Sequence, residues 1–128
     1  MMKRHSQLKI LVLEDEAYRR ELIEPIIEGH QIYWASNADE ALAVLENERF
    51  DLILLDHDLS ARTCGCQVAS RLAQRECLNH NTKVVVHSIN PNGIKRMMRL
   101  LNNLPLRIPV FSLPEVLPEL LLSLPVAA

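Results

Sequence analysis

Long apolar runs, a basic stripe, internal repeats and linkers are all missing from this sequence of 128 residues. The first apolar stretch, residues 10–13, is cut short by acidic residues, so it is too short for a membrane span or a signal peptide. The net charge of −2 argues against direct nucleic-acid binding. We therefore expect one domain over 1–128, with a core over about 8–124, in a cytoplasmic protein without membrane or nucleic-acid partners.

Cysteine is scarce, and the three that occur are Cys64, Cys66 and Cys77. An odd count in a cytoplasmic chain is typical of free thiols. Cys64, Gly65 and Cys66 form a C-x-C motif, but no second pair completes a usual zinc site. We interpret the three cysteines as thiols without a metal.

Strand-like and helix-like segments alternate along the whole chain. Five such units predict a parallel sheet with helices on both faces, the α/β class. This pattern fits a flavodoxin-like, doubly wound, three-layer domain with strand order 2-1-3-4-5. Pro109 cannot donate to a ladder, so the fifth strand should lie at an edge. The strands are predicted at residues 8–13, 31–35, 51–55, 84–86 and 108–111.

Three helix starts are recognisable from capping residues. Asn90 followed by Pro91 combines a cap with a proline at the first helical position. Ser36 and Ser112 each precede an acidic residue by three positions, which resembles a capping box. Pro118 is expected to delay the start of the last helix.

Two of the apolar runs stop abruptly in acids, at Glu14 and Asp15 and at Asp56 and Asp58. The carboxyl ends of parallel strands meet at one sheet edge, which is where open α/β sheets bind ligands. Two carboxylates ~4 Å apart repel by roughly 4 kcal/mol at an effective dielectric of about 20. The converging acids therefore predict a bound cation or a raised pKa.

Residues 10–16, ILVLEDE, and residues 51–56, DLILLD, together with the five-unit pattern, resemble the receiver domain of two-component response regulators. The resemblance implies that Asp56 accepts a phosphoryl group from a histidine kinase or phosphotransfer protein. It also implies a Mg²⁺ ion held by Asp15, Asp56 and the backbone carbonyl of Asp58, with Glu14 acting partly through water. The face formed by helix 4, strand 5 and helix 5 is a possible homodimer surface.

Two features depart from the receiver pattern. The lysine that ends strand 5 in that family is missing, since residues 109–112 are Pro-Val-Phe-Ser. Lys95, Arg62 or the start of helix 4 remain as candidates to contact a phosphate. In our alignment Ser88 takes the family's hydroxyl position at the end of strand 4, although a shift of one residue would put His87 there.

Histidines are the second departure, because His57 follows Asp56 and His87 ends strand 4. The segments LDHDL and HSINPNG resemble a divergent receiver subgroup thought to process cyclic phosphates. Histidines can act as general acid and base, so His57 and His87 suggest a metal-dependent phosphoesterase as an alternative. A pseudo-receiver that only binds partners is a further alternative. We rank Mg²⁺-dependent phosphoryl acceptance at Asp56 first because it needs the fewest assumptions.

Overall fold

The computed structural model describes residues 7–59, 63–101 and 105–125, and these form one five-stranded parallel sheet with helices on both faces. The strand order is β2-β1-β3-β4-β5, which confirms the predicted class and topology. The strands are β1 (Lys9–Leu13), β2 (Gln31–Ala35), β3 (Leu52–Leu55), β4 (Lys83–Val86) and β5 (Leu106–Arg107).

Helices follow the strands in the predicted alternation. Among the described residues no helix is both long and apolar enough to cross a bilayer. The helices are α1 (Ala17–Ile27), α2 (Ala38–Leu45), α3 (Gly65–Leu72), α4 (Pro91–Leu100) and α5 (Leu113–Ser123).

The central strands are buried on both faces, and alternation divides their side chains between two cores. Val12, Leu54 and Val85 belong to the core that contains residues of α1 and α5. Leu13 and Leu55 belong to the opposite core, which contains residues of α2, α3 and α4. Consecutive residues of one strand therefore point to opposite faces of the sheet, and the same alternation extends to the residues that follow the strand ends.

The fifth strand differs from its prediction at residues 108–111. Pairing with β4 is confined to Leu106–Arg107, and Val110–Ser112 is a 3₁₀ turn. Ile108 still donates its N–H to the carbonyl of Val86, but Pro109 has no N–H with which to continue. The strand does lie at the sheet edge, as the proline predicted.

The structure corrects one predicted helix start, that of α2, and one predicted capping bond, that of Ser112. Asn37, not Ser36, caps α2 by accepting the N–H of Glu40, whose carboxylate accepts the N–H of Ser36. Ser112 precedes α5 without a side-chain capping bond. Asn90 caps α4 as predicted, by accepting the N–H of Gly93.

Pro118 lies inside α5 and does not delay its start. Leu113, Leu117 and Leu121 are the buried residues of this helix, spaced one turn apart. Burial of that stripe against the sheet outweighs the hydrogen bond that the proline removes.

A buried amide joins the loops at the amino edge of the sheet. Asn79 accepts the N–H of Phe50 at 2.7 Å and donates to the carbonyls of Leu45 and Glu48 at 3.1 and 2.8 Å. The hydroxyl of Thr82 donates to the same amide oxygen. These bonds fix the segments that lead into β3 and β4.

Replacing this amide should therefore destabilise the fold. We expect Asn79→Ala to lower the free energy of unfolding by about 2–3 kcal/mol, because it leaves buried backbone groups without partners. Asn81→Ala, at an exposed position two residues on, is the matched control and should change stability little. Urea denaturation measures both, and equal effects of the two variants would contradict the bridging role of Asn79.

Candidate functional site

The last residues of β1, β3 and β4 lie side by side in the parallel register. The residue that follows each of them is Glu14, Asp56 or His87, and all three are at most 1% exposed. One ligand atom from each lies within 4.8 Å of the other two. The register therefore builds a cluster of buried titratable groups at the carboxyl edge of the sheet, which we call the carboxylate cluster.

Alternation explains which side of the sheet this cluster faces. Its members come two residues after Val12, Leu54 and Val85, which face the core containing α1 and α5. Arg19 of α1 reaches the same acids: its Nη1 lies 3.3 Å from Asp56 Oδ2 and 3.6 Å from Glu14 Oε2. A guanidinium therefore offsets the negative charge from the helix side.

His87, which follows the last residue of β4, is the third member of the carboxylate cluster. Its Nε2 lies 2.9 Å from Glu14 Oε1, and both side chains are buried. Within the described part of the chain its Nδ1 is buried without a hydrogen-bond partner. Two cationic or hydrogen-bond-donating groups, His87 and Arg19, thus contact Glu14.

The two acids respond differently to the same burial. Burial raises the pKa of Asp56 from 3.8 to about 6, assisted by the charge of Glu14 and opposed by His87, the His57 N–H and Arg19. Burial also acts to raise the pKa of Glu14. There the hydrogen bond and charge of His87, the N–H of Glu16 and the charge of Arg19 prevail, and its pKa falls below the ordinary value. The pKa values of the two neighbouring acids are therefore shifted in opposite directions, down for Glu14 and up for Asp56.

The oxygen donors in the cluster suit Mg²⁺, a hard cation, better than the imidazole of His87 does. The structure brings Glu14 and Asp56 together. The groups of potential ligands found among the described residues do not include Asp15, which is half-buried, or Asp58, whose side chain is 63% exposed. Of the four acids predicted to hold the ion, Glu14 is therefore more central than the sequence indicated.

The remaining predicted residues lie around the cluster or away from it. His87 is the strand-4 residue in the carboxylate cluster with Asp56, an arrangement that agrees with the alternative alignment. The buried hydroxyl of Ser88 accepts the N–H of Asn90. Lys95 is exposed on α4, and no ion pair links it to Asp56 in the regions that the structure describes. Arg62 lies outside the described residues.

His57 turns to the other side of the sheet edge. Its Nδ1 lies 2.7 Å from Asp58 Oδ1, and one of its ring nitrogens lies within 4.8 Å of the sulfurs of Cys64 and Cys66. A Cβ on Gly93 of α4 would lie 2.3 Å from the His57 ring. His57 and His87 therefore belong to different clusters of potential ligand atoms.

Arg19 is the site residue that the sequence analysis missed. It lies four residues after Asp15, in the first turn of α1, the helix that follows Glu14 and Asp15. Such a turn begins at the carboxyl edge and can direct a long side chain back toward the acids. A search for basic residues in that turn, and not only at the end of strand 5, would have found it.

Comparison with known proteins identifies the family. A family model described as the cyclic-phosphate processing receiver domain matches residues 9–103. The chain belongs to this family. Its resemblance to receiver domains and to their divergent subgroup is thereby confirmed.

The chain is also similar to individual proteins of known name. The sensor histidine kinase AruS of Pseudomonas aeruginosa is 35% identical over 96 residues, which cover 71% of this chain and 10% of that protein. The sporulation initiation phosphotransferase F of Bacillus subtilis is 30% identical, with 61% of each chain covered. This receiver domain thus spans less than two thirds of either relative.

Solved structures share the fold. The phosphorylated cyanobacterial phytochrome response regulator RcpA is 25% identical with a TM-score of 0.75, and the match covers 94% of this chain and 99% of that one. The Mn²⁺-bound form of response regulator Rcp1 has a TM-score of 0.73 at 20% identity, with 94% and 99% covered.

The raised pKa of Asp56 has a consequence for stability. The folded state binds the proton of Asp56 more tightly than the unfolded state does, so this contribution is full below pH 3.8 and is lost as the pH rises through about 6. Asparagine has nearly the same shape as aspartate but does not ionise, so Asp56→Asn removes the loss of stability that comes from ionising Asp56. We expect the stability advantage of Asp56→Asn over wild type to grow by about 2 kcal/mol between pH 4 and pH 8.

Urea denaturation across this pH range measures that difference. Asp39→Asn, an exposed position on α2, is the control and should show a nearly constant difference from wild type. A constant difference for Asp56→Asn as well would contradict a buried carboxylate with a raised pKa.

Proposed function

We propose that this receiver domain accepts a phosphoryl group on Asp56 as a step of a phosphorelay. The observation that carries the proposal is the buried carboxylate of Asp56 at the end of β3, next to Glu14 and to the guanidinium of Arg19. In the reaction a carboxylate oxygen forms a bond to phosphorus while the bond from phosphorus to the donor breaks.

The two oxygens of Asp56 are not equivalent. Oδ1 accepts the N–H of His57 at 2.8 Å, which fixes the orientation of the carboxylate. Oδ2 faces Arg19. Glu14 and Asp56, with Asp15 and the carbonyl of Asp58, would hold Mg²⁺, which supplies neutralisation of charge on the transferring group.

Arg19 supports the proposal because it offers a cation where the missing lysine of strand 5 leaves none. Its side chain is only 11% exposed, so its charge is screened less than that of a surface lysine. A guanidinium can also donate two parallel hydrogen bonds to phosphate oxygens. We therefore assign to Arg19 the phosphate contact for which Lys95, Arg62 and the start of helix 4 were the candidates.

The partners follow from the same proposal. A histidine kinase or a phosphotransfer protein would supply the phosphoryl group, as the names of the two curated relatives suggest for receiver domains of this kind. The exposed apolar side chains of Leu106, Phe111 and Val116 support the α4–β5–α5 face as a homodimer surface. A cytoplasmic location fits these partners.

Cyclic-phosphate processing, the activity in the family's description, is the second candidate. His87 favours it, because a buried imidazole with an unpartnered Nδ1 lies beside Asp56. His57 lies in the other cluster of potential ligand atoms, so the support for cyclic-phosphate processing comes from His87 alone. The similarity to a sensor histidine kinase and to a sporulation phosphotransferase also favours phosphoryl acceptance over cyclic-phosphate processing.

Phosphorylation tests the proposal directly. Incubation of the chain with a small phosphodonor and Mg²⁺ should add the mass of one phosphoryl group, measured by intact-mass spectrometry. Asp56→Asn should abolish the addition, and Asp39→Asn should retain it. Absence of the addition in wild type, combined with hydrolysis of a cyclic phosphodiester that fails in His87→Ala, would establish the second candidate instead.

The role of Arg19 has a separate test. Arg19→Gln should slow phosphorylation of Asp56 by roughly 10- to 100-fold, because the developing charge loses a preorganised cation. Lys95→Ala is the control and should leave the rate within about twofold, since an exposed charge is largely screened. The time course of mass addition gives both rates, and the reverse ranking of the two variants would restore Lys95 as the phosphate contact.

A further inference from the structure

We propose that His57, Cys64 and Cys66 form a binding site for a thiophilic divalent ion such as Zn²⁺, distinct from the carboxylate cluster. One ligand atom from each of the three lies within 4.8 Å of the other two. Two sulfurs and an imidazole nitrogen are the donors that zinc prefers. The sequence showed only a C-x-C motif, and the fold supplies the third ligand from the end of β3.

A close backbone contact builds this site. Gly65 donates its N–H to the carbonyl of His57 at 2.7 Å, and a Cβ on Gly65 would lie 2.0 Å from the carbonyl oxygen of Asp56. The lack of a side chain at Gly65 therefore lets the first turn of α3 press against the end of β3. The cysteines on either side of Gly65 are brought to His57 by that contact.

Cys64 is held in place by two further interactions. It forms an isolated antiparallel bridge with Asp58, and its N–H donates to the side chain of Gln67 at 3.0 Å. Cys64 is half-buried and Cys66 is 8% exposed, so an ion could enter from the Cys64 side. Solvent would complete a tetrahedral shell as the fourth ligand.

The second nitrogen of His57 has the partner that a metal-binding histidine needs. Its Nδ1 lies 2.7 Å from the carboxylate of Asp58 and 3.5 Å from the amide of Asn90, so we assign Nε2 as the ligand atom. A histidine that binds a metal usually donates its other ring N–H to a carboxylate or carbonyl, which fixes the ring and raises its basicity. Asp58 is thus a positioning residue for His57.

The buried thiol of Cys66 must lose its proton when an ion binds. Burial and the neighbouring Cys64 raise the pKa of the Cys66 thiol to about 11, whereas Arg96 acts to lower it. An ion must therefore displace protons from sulfur, so uptake should release protons and weaken as the pH falls.

Cobalt and zinc titrations of the untagged full chain, under reducing conditions, test the proposal. With excess Mg²⁺ present to occupy the carboxylate cluster, Co²⁺ should give a near-ultraviolet thiolate-to-cobalt absorption band that saturates at one equivalent. Zn²⁺ should then displace this Co²⁺ and remove the band. Cys64→Ser and Cys66→Ala should each lose the band and weaken zinc binding by at least about 100-fold. Asp58→Asn should weaken it by about 10-fold, as expected for an outer partner.

Two variants serve as matched controls. Cys77→Ala removes the buried cysteine outside the cluster, and Asp56→Asn alters the carboxylate cluster. Both should retain the band and the zinc affinity. Circular dichroism checks each variant for folding, and if Cys66→Ala does not fold, the half-buried Cys64→Ser decides.

Three results would overturn the proposal. The first is the absence of a thiolate band in wild type. The second is a band that survives in Cys64→Ser. The third is zinc binding that depends on Asp56 and not on the cysteines, which would assign the ion to the carboxylate cluster.

Discussion

The side-by-side register of β1, β3 and β4 is the constraint on which the site depends. It ends all three strands at one level, so Glu14, Asp56 and His87 emerge together from the buried sheet. Because strand side chains alternate, the same register sends these residues toward α1 and sends His57 toward α3 and α4. A slip of one residue in any pairing would disperse the cluster and reverse both faces.

Charge balance is the second constraint at this edge. Two buried carboxylates without counter-charges would oppose folding strongly, and here Arg19 and His87 contact them. The balance is incomplete, since the pKa of Asp56 stays raised. The raised pKa shows that the environment of Asp56 disfavours its ionised form. A bound cation beside this carboxylate would therefore be favourable, which suits the Mg²⁺ proposed for this receiver domain.

The fold was predictable from the sequence because the pattern of apolar residues follows the strands and helices directly. The apolar runs that end in acids predict β1 and β3 within one residue of their observed bounds. The site was predictable only in part. Asp56 and Glu14 follow from strand ends, but Arg19 required the direction of a helical side chain, and the choice between His87 and Ser88 required the pairing register. The error at β5 arose because two paired residues leave almost no pattern, and Pro109 ended the ladder sooner than expected.

Asp56 and His57 are neighbours in the chain, yet their side chains serve opposite faces of the sheet edge. The peptide unit between them is planar, and its N–H and the next carbonyl are both engaged in hydrogen bonds. Its N–H already holds Asp56 Oδ1, and the carbonyl of His57 holds the start of α3. The two clusters are therefore anchored by neighbouring residues of one backbone segment, so a displacement of that segment would move both anchors together.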